Sequence, residues 1–207
     1  MRIGPRYKIA RRLGAAVFEK TQNAKFAAKA EAKAMTRRRG RGPSPYAKEL
    51  RELQKVRFTY GVTARQLKNY ANEAIATKGG DAAALIFQRL ERRLDSVALR
   101  AGFAPTRQAA RQMSSHGHLT VAGRRVTVPS LAVSVGDVVA AREGSRASDA
   151  FRAATERAAE KREGGPAVPE WLKVDLAALS AEVAALPALV RGSTELDFDA
   201  VAQHFRK

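Results

Sequence analysis

Apolar residues in the first half of the chain recur every three or four positions, the period of helices with one buried face. Ser44-Pro45 pairs a capping side chain with a proline at the first turn. Behind it, Tyr46, Leu50, Leu53, Val56 and Tyr60 form one stripe, and Gly61 stops the helix. Thr63-Ala64-Arg65-Gln66 is a capping box for a second helix. That helix buries Leu67, Tyr70 or Ala71, Ala74 and Ile75, and it ends before Gly79-Gly80. Asp81 caps a third, whose stripe of Ile86, Leu90, Leu94, Val97 and Ala101 predicts one continuous helix up to Gly102. Thr106 caps the next, and Gly117 is placed to leave it through a positive φ.

Beyond Gly117 the period changes to two. Leu119, Val121, Val126 and Val128 predict two strands around a turn at Ala122-Gly123. Val135-Gly136-Asp137-Val138 is a turn feeding a last short strand. Residues 145–165 return to a helical pattern with Phe151, Ala154 and Ala158 on one face. Val183, Leu186, Leu189 and Val190 are apolar fragments around Pro187. The tail DFDAVAQHFRK is expected to pack back on the helices through Val201 and Phe205. Before Ser44 the pattern is thin. Gly4-Pro5 and Arg11-Arg12-Leu13-Gly14 read as an extended basic start, and residues 24–35 have a helix-favouring Ala/Lys composition with almost no core. The fold class is α+β, with helices first and a small sheet after them.

Charge narrows the partners. The 207 residues carry a net charge of +18. Residues 1–60 hold 17 basic and 4 acidic side chains, whereas residues 145–207 hold 9 and 10. A compact chain with that excess repels itself unless a polyanion neutralises it. Nucleic acid is the first candidate and an anionic membrane surface the second. No apolar run reaches the length of a spanning helix.

Catalytic chemistry finds no support. The chain has no cysteine, which excludes thiolate–metal sites. His116 and His118 stand two apart without an adjacent carboxylate, and His204 is remote. No glycine loop for nucleotide phosphates is present. Asp95, the carboxylate within the densest basic helix, is expected to pair with Arg92 or with an arginine on the next helix. Neither a cofactor nor a metal is expected. Trp171 is expected to pack, because its surroundings are not basic.

The strings RLERRLDSVALRAGFAPTRQAARQMSSHGHLTVAGRRVTVPS and SVGDVVAAR resemble the S4 RNA-binding domain. With LRELQKVRFTYGVTARQLKNY upstream and PEWLKVD downstream, the chain resembles the bacterial ribosomal protein S4 family nearly end to end. It is similar to the cysteine-free form. Ala122 stands where the family more often has Asn, and residues 176–200 diverge most.

The resemblance implies four parts. Residues 1–43 are a basic extension ordered on RNA. Residues 44–88 are a helical domain completed by 196–207. Residues 89–144 are an S4-type α-α-β domain, and residues 145–195 are an extension packed on it. It implies a structural, non-enzymatic constituent of the small ribosomal subunit in the cytoplasm, without self-association. The implied partners are small-subunit (16S) rRNA at a multi-helix junction of the 5′ domain, ribosomal protein S5, ribosomal protein S3, and mRNA near its entry channel. Early assembly and translational accuracy are the implied roles.

RNA contact is expected from Arg37, Arg38, Arg39 and Arg41 in the extension and from Lys48, Arg51, Lys55, Arg65 and Lys68 on the helices. In the S4-type part it is expected from Arg89, Arg92, Arg93, Arg107, Arg111, Gln112, His116, His118, Arg124 and Arg125. Arg107 and Arg111 share a helical face. With Arg93 and Arg124 they are expected to form one continuous phosphate-binding surface. The rival readings are a free-standing S4-domain factor that binds RNA or ribosomes, an RNA-modifying enzyme, and a basic membrane-surface protein. The enzyme reading lacks a catalytic domain.

Overall fold

In the computed structural model, residues 3–28, 44–160, 168–192 and 194–206 are described. The helices in chain order are α1 (Arg6–Leu13), α2 (Pro45–Tyr60), α3 (Ala64–Ala76), α4 (Ala82–Glu91), α5 (Leu94–Arg100), α6 (Arg107–Ser115), α7 (Asp149–Glu160) and α8 (Phe198–Arg206). The strands are β1 (Leu119–Val121), β2 (Arg124–Val126), β3 (Val138–Ala141), β4 (Leu172–Asp175) and β5 (Ser180–Val183). The architecture is α+β. One compact unit comprises Met1–Ile86 with Leu189–Lys207, and the other comprises Phe87–Ala188.

In the first unit, local signals set the helix limits. Ser44 Oγ accepts the Ala47 N–H at 3.3 Å, and Gly61 closes α2 at φ 64°. Thr63 and Gln66 form the reciprocal capping box of α3. Leu67, Ala71 and Ala74 are buried on α3, so Ala71 rather than Tyr70 continues its core face. Helix α8 packs on α2 and α3, with Tyr60 and Phe198 meeting edge-to-face at 6.4 Å. Tyr46 departs from the predicted stripe. It is exposed beside His204, while Glu49 is buried one turn away.

The carboxyl-terminal segment is tied to α4 by Arg191, which lies 2.8 Å from Asp81 and 3.2 Å from Asp199. The hydrogen bond to Asp199, and then the charges of Asp199 and Asp81, raise the guanidinium pKa above its ordinary value.

The amino-terminal segment corrects the expectation of an extended start. Residues 6–13 are helical, and Ala10, Phe18 and Phe26 form a small apolar cluster. Phe18 meets Phe58 of α2 edge-to-face at 5.8 Å. The stripe is only Ala10 and Leu13 deep, too short for a periodicity count to find between so many cations. The expected sites Arg37, Arg38, Arg39 and Arg41 lie outside the described residues.

In the second unit, the predicted continuous helix is broken. Helix α4 ends at Glu91, and Arg93 is extended at φ −65°, ψ 140°. The Leu94 and Asp95 N–H groups donate to the Leu131 and Pro129 carbonyls at 2.9 and 3.1 Å. Arg93 bridges Ala132 in antiparallel fashion. The 129–133 loop thus satisfies backbone donors that a fresh helix start leaves open. The apolar spacing survives the break, and Leu94, Val97, Ala98 and Ala101 remain buried.

The sheet is larger than expected. Its order is β2-β1-β3-β5-β4, antiparallel throughout. Strands β4 and β5 are not predicted, because the sequence shows only apolar fragments around Pro187 there and both strands alternate too briefly beside unpatterned flanks. Leu119, Val121, Val139, Ala141, Ala181 and Val183 point inward onto Leu94, Val97, Phe103, Phe151 and Trp171. Val128, expected in the hairpin, lies beyond β2 and is exposed.

The hairpin turn places Ala122 at φ 47° and Gly123 at φ 78°. Two positive φ values make a type I′ turn, which favours Asn or Gly at its first central position. Left-handed backbone strains alanine. Ala122→Asn is therefore expected to raise stability by about 0.5–1 kcal/mol in urea unfolding. An unchanged or lower midpoint would mean that the turn bears no strain.

Candidate nucleic-acid interface

Two buried carboxylates organise the basic face of the second unit. Glu91, at the end of α4, is 1% exposed, and Asp95, in the first turn of α5, is 5% exposed. Arg100 donates to both oxygens of Glu91, at 2.8 Å each. Arg107 approaches the same carboxylate at 3.6 Å and donates to Ser96 Oγ at 2.9 Å. Arg111 stands 3.5 Å from Asp95. Arg107 and Arg111 come from one face of α6, as their spacing predicts.

The result is a row, Arg100, Arg107 and Arg111, whose guanidinium planes are held from behind. The side chains of Arg100 and Arg111 remain more than a third exposed. A guanidinium held in this way can offer its outer N–H groups to phosphate oxygens with less rotamer entropy to lose.

Arg93 does not belong to that outer row, contrary to expectation. It is 1% exposed and donates to both oxygens of Asp95, at 2.9 and 2.6 Å. The helix break turns its side chain inward onto Asp95, whereas the sequence pattern predicts it on the outer, phosphate-binding surface. Asp95 therefore pairs with Arg93 and Arg111. Arg92, the other expected partner, instead donates to the Val133 carbonyl at 2.8 Å and lies 3.5 Å from Ser134 Oγ. It holds the 133–134 loop. Arg89 is partly exposed at the end of α4.

At the hairpin, strand register separates two neighbours. Arg124 pairs with Val121 and shares its face of the sheet, while Arg125 pairs with Thr120 on the other. Both are exposed. Arg125 reaches back to the end of α6 and donates to the Gly117 and His116 carbonyls, at 3.3 Å each. Gly117, at φ 72°, permits this approach, because a Cβ there would lie on the Arg125 guanidinium. Gln112 and His116 are exposed. The His118 ring is held by Ser145 Oγ at 3.0 Å, 5.9 Å from the His116 ring.

In the first unit, Lys48, Arg65 and Lys68 are exposed. Arg51 is half-buried, and Lys55 is paired with Glu52 at 2.7 Å. Arg57 lies over the Phe58 ring at 4.5 Å. Sequence reasoning did not assign Arg100 and Glu91 to the site. Their nine-residue separation spans two helices, so no i,i+4 rule could pair them. Among the described residues, no three His, Asp or Glu side chains converge as metal ligands would.

The arrangement has the chemistry that a polyanion would meet. Its acidic side chains are buried under arginines, and its outward groups are cationic or amide. Comparison with known proteins agrees with that chemistry. The family model for the ribosomal protein S4/S9 N-terminal domain matches residues 1–91, and the S4 domain model matches residues 92–139. The small ribosomal subunit protein uS4 of Chlorobium luteolum is 40% identical over 186 residues, 88% of this chain and 87% of its own. That of Chloroflexus aurantiacus is 39% identical over 89% of this chain and 88% of its own. That of Hahella chejuensis is 37% identical over 99% and 98%. With identity of this order along nearly its whole length, the chain belongs to the small ribosomal subunit protein uS4 family.

Proposed function

We propose that this chain is a structural constituent of the small ribosomal subunit and binds its rRNA through the phosphate backbone. The observation that carries the reading is the row of Arg100, Arg107 and Arg111 held on the buried Glu91 and Asp95. Buried carboxylates that fix arginines while leaving Arg100 and Arg111 more than a third exposed suit a rigid, shape-based grip on folded RNA. Arg124 and Arg125 extend the cationic surface at the hairpin, and Lys48, Arg65 and Lys68 supply further phosphate contacts from the helical unit. Membership of the family supports the finer reading. The chain grips a multi-helix junction of the 5′ domain early in assembly. Ribosomal proteins S5 and S3 and the entering mRNA lie nearby, and it contributes to accuracy without catalysing a reaction.

Salt titration of binding to a 5′-domain rRNA transcript tests the backbone grip. Arg107→Ala and Arg111→Ala should each weaken binding and lower the slope of log affinity against log salt by roughly 0.7–0.9. Their effects on folding should be small, since Glu91 keeps Arg100 and Asp95 keeps Arg93. A folded double variant with wild-type affinity and slope would show that this face does not hold RNA.

A further inference from the structure

Between α6 and α7 the second unit contains a cavity of about 630 Å³. That volume falls in the range, roughly 300–1,000 Å³, of pockets that take small organic groups. Phe103, Met113 and Phe151 form its apolar wall, and Gln112, His116 and His118 stand among its polar lining. Phe103 and Phe151 meet edge-to-face at 6.2 Å and are fully buried, so they back the wall, while Gln112, His116 and Ala153 present its exposed lining. Among the described residues, no acidic side chain lines the cavity.

The surroundings define what fits. The guanidinium of Arg125 is fastened to the carbonyl of His116, itself a lining residue, and to that of Gly117. An apolar wall with an amide and two imidazoles, next to an anchored cation, matches a flat group with a polar edge that is joined to a phosphate. A nucleobase is such a group. Unstacked bases in RNA loops and bulges are recognised by stacking on aromatic or imidazole rings and by hydrogen bonds to their edges.

We propose that this pocket receives one unstacked nucleobase of the rRNA. Its face rests against the imidazoles of His116 and His118. Its edge is read by the Gln112 amide, and an adjoining phosphate sits on Arg125. The proposal rests on the rRNA-binding reading above and adds a base-specific contact to a grip that otherwise reads only backbone. A neighbouring protein's apolar side chain would need no anchored cation at the rim, which is why RNA is the favoured occupant.

The test uses the full chain and a 5′-domain rRNA transcript. Ala153→Leu narrows the cavity from an exposed position on α7, and Gln112→Ala removes the edge contact from an exposed position on α6. Neither site is in the core, so both variants should fold. Losing a stacked base should weaken binding roughly 5- to 150-fold. The salt slope should stay at the wild-type value, because no phosphate contact is removed. With wild-type protein, dimethyl sulfate should find one unpaired base protected, and Ala153→Leu should restore its reactivity. If both variants bind as wild type with an unchanged footprint, the pocket holds no base. If they do so yet fail to enter assembled subunits, the occupant is a protein side chain, and the proposal is equally overturned. Failure of wild-type protein to bind the transcript at all would instead overturn the rRNA reading itself.

Discussion

Asp95→Ala is expected to destabilise the second unit by about 3–5 kcal/mol. Among the described residues Arg93 has the largest fully buried side chain, and both of its bonds to Asp95 lie out of solvent. Removing the carboxylate takes from a buried guanidinium the two charge-assisted hydrogen bonds to Asp95 that offset its desolvation, and that penalty dominates the loss. Escape to water would require Arg93 to leave the break between α4 and α5. Its backbone is fastened there to Ala132, and the Leu94 and Asp95 N–H groups to the same loop. Arg111→Ala, which takes only an exposed partner from Asp95, should cost no more than about 1 kcal/mol. Urea unfolding followed by circular dichroism measures both. Replacing the pair together, as Arg93→Met with Asp95→Leu, should recover much of the loss, because an apolar pair avoids the stranded charge. An Asp95→Ala variant nearly as stable as wild type would show that Arg93 is not held as an internal strut.

Trp171→Ala is expected to lower stability by about 3–5 kcal/mol while leaving rRNA binding intact. Trp171 belongs to the core that Phe103, Phe151 and Leu172 share, and only 9% of it is exposed. Its carbonyl accepts the Ala184 N–H at 2.9 Å, beyond the end of β5, so the residue also marks the start of the β4–β5 ribbon. The substitution keeps that backbone bond and removes only the indole, leaving a cavity that collapses incompletely. Because this is the only tryptophan, far-ultraviolet circular dichroism is the appropriate probe. The affinity of the folded variant for the 5′-domain transcript should stay within about twofold of wild type, as for other sites distant from the contact. A large loss of affinity without a loss of stability would place the indole on RNA instead.

The candidate site was partly legible. Arg107 and Arg111 were assigned to one face from a four-residue spacing, and the structure sets them side by side on α6. Arg124 and Arg125 were placed at the hairpin from the turn between two alternating segments, and they follow that turn in β2. Arg93 was misplaced for a specific reason. Helical periodicity assumes that the backbone continues, and the 129–133 loop, some forty residues downstream, interrupts it. Arg100 and Glu91 were overlooked because their contact joins two helices across that interruption. The site's organising feature is therefore a tertiary contact.

By itself the sequence determined the features that reach only a few residues. These are the caps at Ser44, Thr63, Thr106 and Asp81, the stops at Gly61 and Gly117, and the apolar stripes that became core. They depend on local backbone geometry and side-chain spacing, which a short stretch contains in full. It also determined the excess of positive charge and the family resemblance. Only the tertiary structure decided which arginines are buried and which are presented, because burial depends on what packs from distant parts of the chain. The helix break at Arg93, the addition of β4 and β5 to the sheet, and the cavity between α6 and α7 arise in the same way. Each requires two segments, neutral or ambiguous alone, to satisfy one another's backbone donors or apolar surface.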